Sequence, residues 1–165
     1  MLHFAERIVG ALADSSCEFV IVGGISAVLN GAPIVTQDLD VCYRRHPDNL
    51  TRIAAALQPF QLRLRGLPEG LPNLFDRRTL EFGTNFTLVL QDGEEFDLLG
   101  EMSAIGGYDA VVGRAIEMDV AGHMVKVLAL EDLIRTKRAA GRPKDLAVLP
   151  VLEATLQMLQ EKGGA

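Results

Sequence analysis

Asp38 and Asp40 flank a single leucine in the run Thr36-Gln37-Asp38-Leu39-Asp40-Val41. Residues two apart along a strand project from the same face. The two carboxylates therefore point one way, and Leu39 and Val41 point the other way into a core. Two carboxylates so close repel each other, and a fold accepts them best with a cation between them. Just upstream stands Val22-Gly23-Gly24-Ile25-Ser26, a glycine turn opening a helix, which offers backbone N–H groups to an anion. A third carboxylate sits in Glu95-Phe96-Asp97-Leu98-Leu99. Asp97 shares a strand face with Glu95, while Phe96 and Leu98 face inward. If the fold brings Asp97 beside Asp38 and Asp40, the set suits Mg²⁺, which takes hard oxygen ligands and keeps positions for water and phosphate oxygens. In a two-metal arrangement one ion holds a triphosphate and the other lowers the pKa of an attacking hydroxyl. Asp97, next to the acceptor, is then a general base. Taken singly, each element has a plainer reading: a turn for the glycines, a solvated edge face for Asp38 and Asp40, surface charge for Asp97.

These residues need elements to position them. Leu2, Ala5, Ile8, Val9 and Leu12 make a one-sided apolar stripe, predicting a helix over Leu2 to Ala13 that ends at Asp14-Ser15-Ser16. Phe19-Val20-Ile21-Val22 reads as a short buried strand. The glycine pair then turns the chain into a helix over Ile25 to Asn30, stopped by Gly31-Ala32-Pro33. A strand runs from Asp38 to Tyr43, and an amphipathic helix over Leu50 to Leu57 ends before Pro59. Residues 62–75, punctuated by Gly66, Pro68, Gly70 and Pro72, read as a mobile loop. Asn85 to Leu90 and Glu95 to Leu99 form a hairpin around Gln91-Asp92-Gly93, and Gly106-Gly107 marks a turn. Ala115 to Val120 and His123 to Val127 form a second hairpin around Ala121-Gly122. Two helices follow, Leu130 to Ala140 stopped by Gly141, and about Lys144 to Gln160. This mixture implies an α/β (α+β) fold, a mixed sheet with helices packed on it.

The bulk properties narrow the setting. The chain has 165 residues, fitting one domain whose helical C-terminal part covers about 129–162. No stretch approaches the roughly 20 apolar residues of a membrane span, and Met1 to Arg7 carries no signal pattern. Cys17 and Cys42 form no metal motif and read as buried small hydrophobes. His3, His46 and His123 lack metal-ligand spacing, and Tyr43 and Tyr108 read as packing residues. The composition is that of a cytoplasmic protein. A net charge of −6 weighs against a surface that grips nucleic acid throughout. Yet Arg135, Lys137, Arg138, Arg142 and Lys144 place 5 of the 16 basic side chains in one patch. There Asp145 reads as a partner of Arg142 or a helix cap.

With these motifs in view, the sequence resembles the nucleotidyltransferases of the DNA polymerase beta superfamily. Their signature is an apolar residue and a glycine pair or Gly-Ser, a spacer, then Asp-apolar-Asp-apolar. Here thirteen residues (25–37) separate Val22-Gly23-Gly24 from Asp38-Leu39-Asp40-Val41, and Thr36 precedes the first aspartate as in small bacterial members. Phe96-Asp97-Leu98-Leu99 matches the family's third carboxylate. The tail from Asp132 to Leu146 looks like that of stand-alone members, which include abortive-infection-type toxins and antibiotic nucleotidyltransferases. The resemblance spans about residues 18–150.

It implies a nucleotidyltransferase fold with a C-terminal helical pair. It implies Asp38 and Asp40 on Mg²⁺, Asp97 activating the acceptor, and Gly23, Gly24 and Ser26 around the triphosphate of an NTP such as ATP. Lys137 is the candidate phosphate contact, with Lys144 behind it. The chain departs from many members in having Gly24 where they carry serine, with Ser26 two positions later. The activity implied is transfer of a nucleoside monophosphate to a hydroxyl on a small molecule, a protein side chain or a tRNA end. A toxin–antitoxin setting, with an antitoxin partner, goes with the resemblance. The alternatives are a catalytically silent nucleotide- or protein-binding module and a hydrolase that uses water as acceptor.

Overall fold

A computed structural model describes residues 3–68, 70 and 75–163. In chain order the elements are α1 (His3–Asp14), β1 (Phe19–Val22), α2 (Gly23–Leu29), β2 (Leu39–Tyr43) and α3 (Pro47–Leu57), followed by a 3₁₀ turn (Gln58–Phe60). Next come β3 (Arg63–Leu64), α4 (Arg77–Phe82), β4 (Asn85–Val89), β5 (Glu95–Leu99), β6 (Glu101–Met102), β7 (Gly106–Gly107) and α5 (Tyr108–Val112). β8 (Ala115–Val120), β9 (His123–Leu128), α6 (Leu130–Ala140) and α7 (Pro143–Gly163) complete the chain.

Among the described residues, seven strands form one mixed sheet in the order β3-β4-β5-β2-β1-β9-β8. β1 runs antiparallel to β2 and parallel to β9, while β2 runs parallel to β5. β4 and β5 form the hairpin expected around Gln91-Asp92-Gly93, and β8 and β9 the one around Ala121-Gly122. In the second turn Ala121 and Gly122 both have positive φ (52° and 86°), the backbone that a two-residue hairpin requires.

Period two divides the strands between two cores. Phe19, Ile21, Leu39, Val41, Tyr43, Phe96 and Leu98 pack with α1 and α3 on one face. Val20, Val22 and Cys42 pack with α6 and α7 on the other, where Leu133, Leu149 and Leu152 are buried. Asp40 and Asp97, alternating with the first set, are thereby committed to the α6–α7 side. Tyr43 is fully buried, with its hydroxyl donating to the Thr84 carbonyl at 2.9 Å. Cys42 is buried too; burial pushes its thiol up to about 12 and that of half-buried Cys17 up to about 11.

The differences from expectation are local. The helix after β1 begins at Gly23 rather than Ile25. The third helix begins at Pro47, since proline at the first position suits a helix start. Gly106-Gly107 pairs with Glu101-Met102 as a two-residue strand instead of forming a free turn. Arg63–Leu64, inside the expected loop, adds to the sheet edge by pairing with β4. α4 and α5 had no sequence signal, because five or six residues span too little of a 3.6-residue period to show a stripe. Leu2 of the first predicted helix and Pro72 of the predicted loop lie outside the described residues. No helix among the described residues is long and apolar enough to cross a membrane.

Candidate active site

β2 and β5 are parallel neighbours, and their register sets Asp40 directly opposite Asp97. Residues that face each other across adjacent strands have side chains in contact range. Asp40 is pushed up to about 7, first by burial, then by the charges of Asp97 and Asp38. Asp38, in the exposed segment just before β2, acts on Asp40 through its charge alone. The expected three-carboxylate cluster is thus a close pair with a third, exposed carboxylate beside it. Among the described residues no three His, Cys, Asp or Glu side chains form a ready cage for an ion.

All three line a cleft of about 730 Å³, with Gly23, Gly24, Thr36, Asn85, Glu101, Lys137, Arg142, Lys144 and Asp145. The glycine pair contributes space as well as a turn. A Cβ on Gly23 would lie 1.9 Å from Asp40 Oδ2, and Gly23 has φ +65°, a conformation that L side chains rarely adopt. A Cβ on Gly24 would lie 2.4 Å from Thr36 Oγ1. Glycine at both positions lets the β1–α2 junction lie directly against the segment that carries Asp38 and Asp40.

Ser26 does not join this group. It is fully buried, it does not line the cleft, and its Oγ has no hydrogen-bond partner among the described residues. Three residues into α2, its side chain has turned to the interior. Ser26 was expected around the triphosphate with Gly23 and Gly24, but its side chain does not reach the cleft that the glycines line. The departure at Gly24 is therefore not made good by Ser26.

The basic patch divides by helical phase. Lys137, Arg142 and Lys144 line the carboxylate cleft, whereas Arg135 and Arg138 line a separate depression between α6 and α7, where Arg138 pairs with Glu153. The Lys137 ammonium acts on Asp40 through its charge and draws the Asp40 pKa down, against burial and the neighbouring carboxylates. Asp145, buried at 1% exposure, accepts from Lys137 Nζ at 3.1 Å and from Arg142 Nε at 2.5 Å. The Arg142 pairing was expected; the bond to Lys137 and the place in the cleft were not. The histidines stand apart from the cleft: His46 lies near Asp48 at 3.9 Å and His123 near Asp14 at 3.6 Å.

The donor set fits a hard dication. Asp97 Oδ1 is buried without a hydrogen-bond partner among the described residues, a costly state for an acceptor. It faces a partner carboxylate that its own charge drives toward protonation. A dication at this pair would use the orphaned oxygen and relieve the repulsion. Mg²⁺ commonly binds through one or two carboxylates together with substrate phosphates, so a close pair is sufficient protein ligation.

No protein-family model matches the sequence, and no curated protein matches it. Solved structures do. ANT(2″)-Ia in complex with adenylyl-2″-tobramycin shares a TM-score of 0.61 at 14% identity, over 93% of this chain and 87% of that one. The lincosamide antibiotic adenylyltransferase LnuA, bound to lincomycin, shares 0.63 at 9% identity, over 94% and 98%. A candidate nucleotidyltransferase from Thermotoga maritima shares 0.55 at 16% identity, over 96% and 91%. At these identities the likeness is one of fold. The chain has the nucleotidyltransferase fold, as its motifs imply.

Proposed function

We propose that this protein is a Mg²⁺-dependent nucleotidyltransferase that moves a nucleoside monophosphate from an NTP to a hydroxyl acceptor. One observation carries the reading: Asp40 and Asp97 stand side by side in register, on the wall of a cleft that also holds Lys137. Asp38, Asp40 and Asp97 are the residues that would hold Mg²⁺, two ions in this reading, which when bound neutralises phosphate charge and eases ionisation of the acceptor hydroxyl. The backbone of Gly23 and Gly24 borders the triphosphate, and the Lys137 ammonium meets its phosphate oxygens. Asp97 takes the proton of the acceptor hydroxyl. The acceptor oxygen forms a bond to the α-phosphorus, the bond to the bridging oxygen of the β-phosphate breaks, and pyrophosphate leaves.

The acceptor best supported is a small hydroxylated molecule. Two structures of the same fold hold antibiotics, adenylyl-tobramycin in one and lincomycin in the other. A protein side chain follows, and a tRNA end comes last, because the net charge of −6 weighs against nucleic acid. Action in the cytoplasm, where NTPs are, and a toxin paired with an antitoxin protein belong to the same proposal.

The test is transfer of label from each α-labelled NTP, with Mg²⁺, to cell extract, aminoglycosides and lincosamides. Loss of transfer in Asp38→Asn supports the assignment. Transfer that survives Asp38→Asn combined with Asp40→Asn refutes it. Nucleotide protection against unfolding without transfer to any acceptor marks a silent binding module instead.

A further inference from the structure

The junction of α6 and α7 folds one buried carboxylate against two cations. α6 ends at Gly141 in the left-handed conformation (φ +63°), which turns the chain so that Arg142 and Asp145 return toward Lys137. Asp145 Oδ1 accepts from Lys137 Nζ at 3.1 Å and from the Arg142 guanidinium at 3.3 Å, and Oδ2 accepts from Arg142 Nε at 2.5 Å. Asp145 is 1% exposed; the side chain of Lys137 is 18% exposed and that of Arg142 62%. All three residues line the cleft of Asp40 and Asp97. The two acidic residues raise the Arg142 pKa, after the larger effect of Asp145 itself, so the guanidinium lies within their field.

A pair of helices needs no such triad to stay joined, because Leu133, Leu149 and Leu152 already pack between them. One anion against two cations leaves a unit of positive charge on the cleft wall. A lysine on a flexible four-carbon stem gains most from being held in place before the anion arrives.

We propose that Asp145 is a positioning residue for the nucleotide, fixing Lys137 and Arg142 as a two-cation phosphate clamp. This rests on the function proposed above. Arg142 then contacts phosphate directly, in addition to Lys137.

The experiment measures dissociation constants of the four α,β-methylene NTPs, which bind but cannot release pyrophosphate, in the presence of Mg²⁺. The proteins are the wild type, Asp145→Asn, Lys137→Met and the double variant. If Asp145 acts through Lys137, Asp145→Asn weakens binding about tenfold alone and less than about threefold in the Lys137→Met background. Losses that simply multiply overturn the proposal. In turnover, Asp145→Asn raises KM for the NTP more than it lowers kcat. A merely structural role would reduce the folded fraction, lowering kcat at constant KM, and that result also overturns it. Should Asp145→Asn not fold, the more exposed Arg142→Gln decides. Severalfold weaker binding at an unchanged melting midpoint supports the clamp, and unchanged binding refutes it. A wild type that binds none of the analogues defeats the proposed function itself, a failure visible before any variant is compared.

Discussion

Replacing Asp40 with Asn should stabilise the metal-free protein while abolishing transfer. The folded-state pKa of Asp40 is raised from its ordinary 3.8 to about 7, by burial first and then by Asp97 and Asp38. The folded protein therefore binds a proton that the unfolded chain has already lost. The sign follows from linkage: Asp40 leaves stability untouched below about pH 4, erodes it as the pH rises toward 7, and costs most above 7. Each pKa unit corresponds to about 1.4 kcal/mol, so a shift of roughly three units sets a ceiling of about 4 kcal/mol. Asp40 lines an open cleft and is only partly buried, and about half of that, near 2 kcal/mol, is expected to be realised. For a chain of 165 residues this is a rise of roughly 4–8 °C in melting midpoint at pH 8. The assay is thermal unfolding of wild type and Asp40→Asn in EDTA at pH 5, 6, 7 and 8, followed by the same series with Mg²⁺. The gain should fall to somewhat over a third of its pH 8 value at pH 5 and vanish below about pH 4. Mg²⁺ should narrow it at pH 8, because the ion raises the wild-type midpoint alone. A variant no more stable than wild type at pH 8, or a gain that does not vary with pH, refutes the reasoning.

Other consequences follow from the same geometry. Gly23→Ala should cost about 3 kcal/mol or more and abolish transfer, since the methyl group would meet Asp40 Oδ2 at 1.9 Å on a backbone with φ +65°; denaturant unfolding and the labelling assay measure both. Gly24→Ala should destabilise by about 1–3 kcal/mol through its clash with Thr36 Oγ1 and Cβ at 2.4 and 2.8 Å, and Thr36→Gly should recover part of that loss in the double variant. Because ion binding must displace the proton held by Asp40, Mg²⁺ or Mn²⁺ binding at pH 6 should release close to one proton and weaken toward tenfold per unit of falling pH, measured by calorimetry in buffers of different ionisation enthalpy.

Much of the site could be read from local patterns. The alternation of Asp38 and Asp40 with Leu39 and Val41, and of Asp97 with Phe96 and Leu98, assigns faces without any knowledge of the sheet, because a strand repeats every two residues. The hairpin turns at Gln91-Asp92-Gly93 and Ala121-Gly122, and the end of α6 at Gly141, rest on backbone conformations that glycine favours. Long elements with a full apolar stripe, such as α1 and α6, fell within a residue or two of expectation. The short α4 and α5 had too few residues to show a period.

Asp145 shows where local reading ends. From the sequence it has one natural partner, Arg142, three residues before it. Its second partner, Lys137, lies across the α6–α7 turn, and its place in the cleft depends on how that turn seats against the sheet. Ser26 shows the converse: a hydroxyl near the glycine pair in sequence that helix rotation carries into the interior. The chain by itself determined which residue types face which way on each strand, since that depends on chemistry within a few positions. Only the tertiary structure decided that β2 and β5 are parallel neighbours with Asp40 opposite Asp97, because strand order and register come from packing between segments distant in sequence.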